Sequence, residues 1–175
     1  MEYDIFMEVL LESNNEEQME WVRSIQHPIH HYFFEPWKGL FKALGRTRQF
    51  QNIQVKQAQD FFQVARKWCK EYNLWSERAV ALMFDIRVQN GSIQGYVKAQ
   101  IFRDFSELPE DLDDDTKEVA KLRIIANRRA EAANPKWIED VRRRKLCCAN
   151  GEGIVFGHRY HLESQYGIGL RKWKS

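Results

Sequence analysis

The run from Ser76 to Gly91, Ser-Glu-Arg-Ala-Val-Ala-Leu-Met-Phe-Asp-Ile-Arg-Val-Gln-Asn-Gly, constrains this chain more than any other stretch, because it is an apolar-rich helix with a carboxylate, Asp85, in its interior. Ser76 is suited to cap its start, and Asn90-Gly91 to stop it in a left-handed conformation. Its apolar residues lie all round the axis, which predicts a buried helix at the centre of the fold. A carboxylate taken out of water must be paired, hydrogen-bonded or protonated. Asp85 therefore marks either a structural ion pair or a working site. Arg78 and Gln89 fall on related faces, two turns before it and one turn after. The predicted partner is an Arg from the later helix that carries Arg142, Arg143 and Arg144, since a planar guanidinium matches a carboxylate bidentately.

Helical spacing dominates elsewhere too. Residues 3–11 (Ile5, Phe6, Val9, Leu10) and 16–26 (Met19, Val22, Ile25) read as two helices joined by Ser13-Asn14-Asn15, which can cap the second. Pro28 and Pro36 make 26–36 a loop. Pro36 then suits the first turn of a short helix over 37–44, closed by Gly45. A long helix is expected over 49–72, with Phe50, Ile53, Ala58, Phe61, Phe62, Ala65 and Trp68 inward and Asn73 at its end. After the central helix comes an acid-rich loop and helix region. Asp114 or Asp115 can then cap a helix over 116–133 with Val119, Leu122, Ile125, Ala126 and Ala130 inward. Pro135 starts another, through 136–148, ended by Asn150-Gly151-Glu152-Gly153. Only 154–162 reads as a short extended or hairpin element. The class is all-α, without internal repeats, and 1–175 reads as a single domain.

Composition sets limits on partners. With 175 residues, 43% of them hydrophobic, the chain can bury a core. A formal net charge of +2 is too small to argue by itself for a nucleic-acid partner, and none is expected. The charge is uneven: seven acids and one Lys lie between Glu107 and Glu118, and the basic residues are concentrated from Lys121 to Lys145, which reads as an acidic loop facing a solvated basic helix pair. No apolar stretch reaches the length of a membrane span and Met1-Glu2-Tyr3-Asp4 lacks a basic leader, so no membrane partner is expected and the chain as written is cytoplasmic. Cys69, Cys147 and Cys148 are odd in number, with two adjacent, which predicts reduced, buried thiols. The loop His27, His30, His31 and Glu35 has metal-ligand chemistry, but Pro28 breaks the helix that would align it; neither a metal nor a cofactor is expected. His158 and His161 flank Arg159 and Tyr160 in a Gly-bounded segment that can line a polar cleft. Trp21, Trp37, Trp68 and Trp137 fall at apolar helical positions and read as core. P-loop, GxSxG, HExxH, dinucleotide and EF-hand motifs are absent.

Three segments, Phe84 to Gly91, Trp137 to Gly153, and Tyr160-His161-Leu162 with Tyr166-Gly167, together resemble the distal part of the family-46 chitosanases. They resemble more closely a bacterial and phage group of chitosanase-like proteins found with peptidoglycan-binding modules. The resemblance covers residues 37–170. It implies a lysozyme-like, mainly helical, two-lobed hydrolase fold acting on glucosamine-containing polysaccharide, chitosan or peptidoglycan. It also implies inverting chemistry by a Glu acid and a water-positioning Asp held about 6.5–9.5 Å apart. By position Asp85 matches an Asp of the buried Asp-Arg network behind the acid, and Arg142 the network Arg. Asn90, His158, Arg159 and Tyr160 are the expected substrate-binding residues, through which a remnant would still hold a glycan in the half-cleft. In that family both catalytic carboxylates lie upstream of the matched part. Glu2, Asp4, Glu8 and Glu12 sit on an ordinary amphipathic helix with no motif around them. The implied protein is an N-terminally incomplete domain, a truncated product or degenerate relative, of hydrolase ancestry and inactive alone. The alternatives are a glycan-binding remnant and a helical protein-interaction module using the basic face Arg142 to Lys145. Apolar surface left uncovered on the first two helices predicts self-association.

Overall fold

A computed structural model describes residues 2–173, with the side chain of Glu2 left aside. The fold is mainly helical, with one two-stranded sheet among the described residues. The chain divides into two compact units, Met1–Lys56 and Gln57–Ser175, and the boundary falls inside a helix.

The first unit holds α1 (Glu2–Glu12), α2 (Asn15–Ser24), α3 (Trp37–Gly45) and the start of α4 (Arg48–Glu71). Asn14 caps α2 in a reciprocal box. Its Oδ1 accepts from the Glu16 and Glu17 backbone N–H groups at 2.9 and 3.1 Å, and its own N–H donates to Glu17 Oε2 at 2.8 Å. Pro36 stands just before α3 rather than in its first turn, and Gly45 belongs to the helix, whose cap is Arg46. The 26–36 loop is closed by a Gln26–Phe33 bridge. Trp21 meets Trp37 edge-on at 4.9 Å, and Phe6 and Phe41 join them. These rings are half-buried, and Ile25, at 7% exposure, is the one buried residue among the described residues of this unit. The inward stripe predicted for the long helix fails in its first half: Ile53 is 64% exposed. Phe62 is also exposed, and the buried residues of α4 are Ala65 and Cys69, near its end.

The second unit is organised round α5 (Glu77–Asn90), whose Leu82, Met83 and Ile86 are fully buried against Val97, Ile101, Leu122 and Ile125. Ser76 caps it as the sequence indicates, its Oγ accepting from the Ala79 N–H at 3.1 Å. The cap is itself held by buried Glu118, whose Oε1 accepts from the N–H groups of Trp75 and Ser76 and from the Ser76 hydroxyl at 2.8–3.0 Å. Helix α6 (Gly95–Ser106) was not anticipated as a distinct element; Val97 and Ile101 are its buried residues, one turn apart. Helix α7 (Asp114–Glu131) is capped by Asp113, not Asp114 or Asp115, because the carboxylate that reaches the Thr116 N–H, at 2.9 Å, is three residues upstream of it. A single 3-10 turn at Pro135–Trp137 precedes α8 (Ile138–Asn150), and this early turn leaves Trp137, read as core, 50% exposed.

Strands β1 (Glu152–Val155) and β2 (His158–His161) form the hairpin expected near 154–162, paired from Glu152↔His161 to Val155↔His158. Phe156 and Gly157 turn it with φ of 50° and 81°, the two positive values that a tight two-residue loop demands. A short helix α9 (Leu162–Tyr166) follows. No described helix is long and apolar enough to cross a membrane.

Candidate functional site

Asp85 is buried and doubly engaged. Its Oδ1 accepts from Arg144 Nε and its Oδ2 from Lys145 Nζ at 3.0 Å; Lys145 Nζ also donates to Gln89 Oε1 at 2.7 Å. The expected network cation, Arg142, is elsewhere, bonded to Glu139 one turn back on its own helix. Geometry explains the difference. Arg142 and Arg144 are about 200° apart round the helix axis, so only one can face α5. Val141, Lys145 and Cys147 are the buried side chains around it on α8.

Lys145 has no exposed surface, and burial pushes its ammonium below the ordinary lysine range, against the opposing pull of Asp85. Arg129 on α7 is 4% exposed, with Nε and Nη1 buried and unbonded, and burial likewise lowers its pKa. Its charge also acts on Lys145. Asp85 thus holds two cations, Arg144 and Lys145, whereas Arg129 is buried with no ion pair among the described residues to offset its desolvation cost.

Asp85 and Arg144 sit on the wall of a groove of about 720 Å³. Its apolar lining comes largely from α5, through Val80, Ala81, Phe84 and Val88, together with Leu162. Tyr160 and Tyr166 stack at 6.4 Å and 25°, and Trp173 carries the Arg66 guanidinium 4.8 Å over its ring. The other carboxylate of the lining, Glu77, accepts the Gly169 N–H at 2.9 Å and pairs with Arg171 at 3.0 Å. Both groove carboxylates therefore have cationic partners. Burial, reinforced by the charge of Asp85, pushes the Cys148 thiol up to about 12, which favours the protonated thiol at neutral pH.

The sequence-derived site residues separate. Asp85 and Tyr160 meet in the groove. Arg159, next along β2 and so on the opposite face, lines another cleft with Arg123 and Glu152. His158 lies exposed at the hairpin end, and Asn90 closes α5 with its Oδ1 buried and unbonded. In the histidine loop, His27 lies tilted at 30° against His30 at 4.9 Å, and its Nδ1 accepts from two backbone N–H groups at 3.2 Å. Glu35 accepts from the Gly39 N–H at 3.0 Å. Among the described residues no group of three or more His, Cys, Asp or Glu side chains is placed to hold a metal.

Sequence reasoning missed Lys145, Arg129, Glu77 and Trp173. Lys145 had a signal, since it is one turn from the buried Val141 and is the basic residue of α8 best aligned with the apolar face. Comparison with protein-family models, curated proteins and solved structures finds no match to this chain.

Proposed function

We propose that the 57–175 unit is a glycan-binding domain of chitosanase-like ancestry that does not hydrolyse its ligand unaided, with glucosamine-containing polysaccharide, chitosan or peptidoglycan, as the ligand class. The observation that supports this is the groove. Ring faces of Tyr160 and Tyr166 offer the apolar, wettable surface on which pyranose C–H faces stack, and Arg144 and Glu77 supply polar contacts at its wall. Inverting hydrolysis needs one carboxyl free to donate a proton and another free to activate water. Here Asp85 is engaged by Arg144 and Lys145, and Glu77 by Arg171, an arrangement that orients side chains and leaves neither carboxylate free. Asp85 acts as the residue that positions Arg144.

The test is incubation of the folded chain with glucosamine oligomers and with purified peptidoglycan. Products are read by mass spectrometry and binding by calorimetry. The expected result is weak, saturable binding, lost in Tyr160→Ala, with no cleavage. Cleavage would overturn the inactive reading, and absence of saturable binding to either polymer would overturn the glycan reading.

A second reading, a helical protein-interaction module, is favoured by a different observation: most of the groove lining is carbon, from Val80, Ala81, Phe84 and Leu162. That surface suits the apolar face of an amphipathic helix. The basic face first considered for such a role is largely committed, Arg142 to Glu139 and Arg144 and Lys145 to Asp85. Binding of an amphipathic peptide that displaces no sugar, with no sugar binding of its own, would favour this reading.

A further inference from the structure

A second pocket, polar and about 440 Å³, is lined by Arg78, Asn150, Gly151 and His161 together with Ser164 and Glu163. Arg78 is the anomaly in it. The residue sits in the first turn of α5, where the helix dipole disfavours a cation. Its guanidinium makes one long hydrogen bond, from Nη1 to the Ala149 carbonyl at 3.3 Å, and its Nε is buried without a partner. Arg66, Arg87 and Arg129 also have unbonded Nε atoms, but Arg66 and Arg87 each lie over an aromatic ring, Trp173 at 4.8 Å and Phe61 at 5.2 Å, and Arg129, 4% exposed, lines neither this pocket nor the groove. Among the described residues Arg78 has neither a ring nor a carboxylate in ion-pairing contact. Burial lowers its pKa, with the charge of Glu163 opposing.

The fold makes room for this side chain. Gly151 ends α8 with φ of 81°, and a Cβ there would stand 3.0 Å from Arg78 Nη1. Two carboxylates also line the pocket: Glu152 Oε2 lies 3.2 Å from His161 Nδ1, an ion pair only when that imidazole is protonated, and Glu163 Oε1 takes Arg171 Nη1 at 3.0 Å. Asn150 Oδ1 accepts from Arg123 Nε at 2.7 Å, which leaves its Nδ2 donor unspent, as is the Ser164 hydroxyl.

We propose that this pocket binds an oxyanion, the carboxylate or phosphate group of a small ligand, on the Arg78 guanidinium, with Asn150 and Ser164 as secondary donors. The planar fork of an arginine matches either group in two-point contact, and a guanidinium short of partners in a partly desolvated pocket is where such a contact gains most. The site is a second pocket that adjoins the aromatic groove at Ile168, and it does not depend on the glycan reading.

The experiment titrates the folded wild-type chain with inorganic phosphate, and separately with sodium acetate, at constant ionic strength, following the Arg78 Nε–H and Asn150 side-chain amide resonances. A saturable shift is expected, with the tighter of the two anions identifying the group. In Arg78→Gln, read at Asn150, the dissociation constant should rise at least roughly tenfold, the loss expected for a charge-assisted contact. A linear response, one that sodium chloride reproduces, or an unchanged constant in folded R78Q would overturn the site. If R78Q does not fold, Ser164→Ala decides: weaker binding supports the assignment and unchanged binding refutes it.

Discussion

The two units of the chain treat their apolar residues differently. In 57–175, Leu82, Met83, Ile86, Ile101, Leu122 and Ile125 lose all contact with solvent. In 1–56 the rings of Phe6, Trp21, Trp37 and Phe41 pack on one another, yet only Ile25 among the described residues is buried, and not fully, while Leu11 remains 74% exposed. The contrast follows from scale, since a segment of this length has too much surface for its volume to seal an interior by itself. It also shows where polar groups are expensive. A charge on α1 or α2 stays hydrated, whereas Asp85, Lys145 and Arg129 sit inside packed helices and depend on what they touch.

The largest effect should come from breaking that dependence. Asp85→Asn leaves Lys145 buried without its counter-charge and should cost about 3–5 kcal/mol. Leu11→Ala, in the exposed half of the comparison, should stay within about 0.5 kcal/mol. Urea unfolding followed by circular dichroism measures both, and equal shifts would abolish the distinction between the units. Arg129→Met probes the same interior from the other side. Removing a buried guanidinium that lacks partners on Nε and Nη1, and that also repels Lys145, should stabilise the fold by about 1–4 kcal/mol. A lower urea midpoint would mean that this guanidinium has a partner on which folding depends.

How far the sequence revealed this interior can be judged from particular residues. The central helix, its Ser76 cap and the buried Asp85 were legible because local rules and burial agree there. The hairpin was legible from its Gly-bounded extended pattern. Asp85's partner was legible as a type, an Arg of the 142–144 stretch, but not as a residue, because helix phase and not spacing from Asp85 selects Arg144 over Arg142, and the second partner, Lys145, was missed. Helix α6 escaped because its apolar residues, Val97, Ile101 and Phe105, mark a single narrow stripe that opens on Gly95. The groove's Trp173 and Glu77, and the long-range cap from Glu118 to Ser76, are products of tertiary folding with no local pattern to announce them.

Alkaline pH gives the smallest but most selective test of the contrast, because all three cysteines belong to the 57–175 unit. Burial, with the charge of Glu118 adding to it, pushes the fully buried Cys69 thiol up from its ordinary 9.0 to about 12. Below pH 9 this thiol is protonated whether the chain is folded or not and has no effect on stability. Above pH 9 the unfolded chain releases the proton while the folded chain retains it, so stability falls as pH rises, until the folded thiol itself ionises near 12. The slope approaches about 1.4 kcal/mol per pH unit, which amounts to about 1 kcal/mol at pH 10. Tyr72, raised from 10.0 to about 12 chiefly by burial, adds to the loss above pH 10. Lys145, lowered by burial, works in the opposite direction up to its ordinary 10.5, since there the unfolded chain binds the extra proton. Both contributions cancel in a difference between wild type and Cys69→Ala. Wild type should lose about 1 kcal/mol more than the variant between pH 8 and pH 10 in urea unfolding, with amide-exchange protection falling in α5 and α8 rather than in α1 and α2. Parallel pH profiles for the two proteins would mean that Cys69 reaches solvent in the folded state and that the interior of 57–175 is less closed than its packing implies.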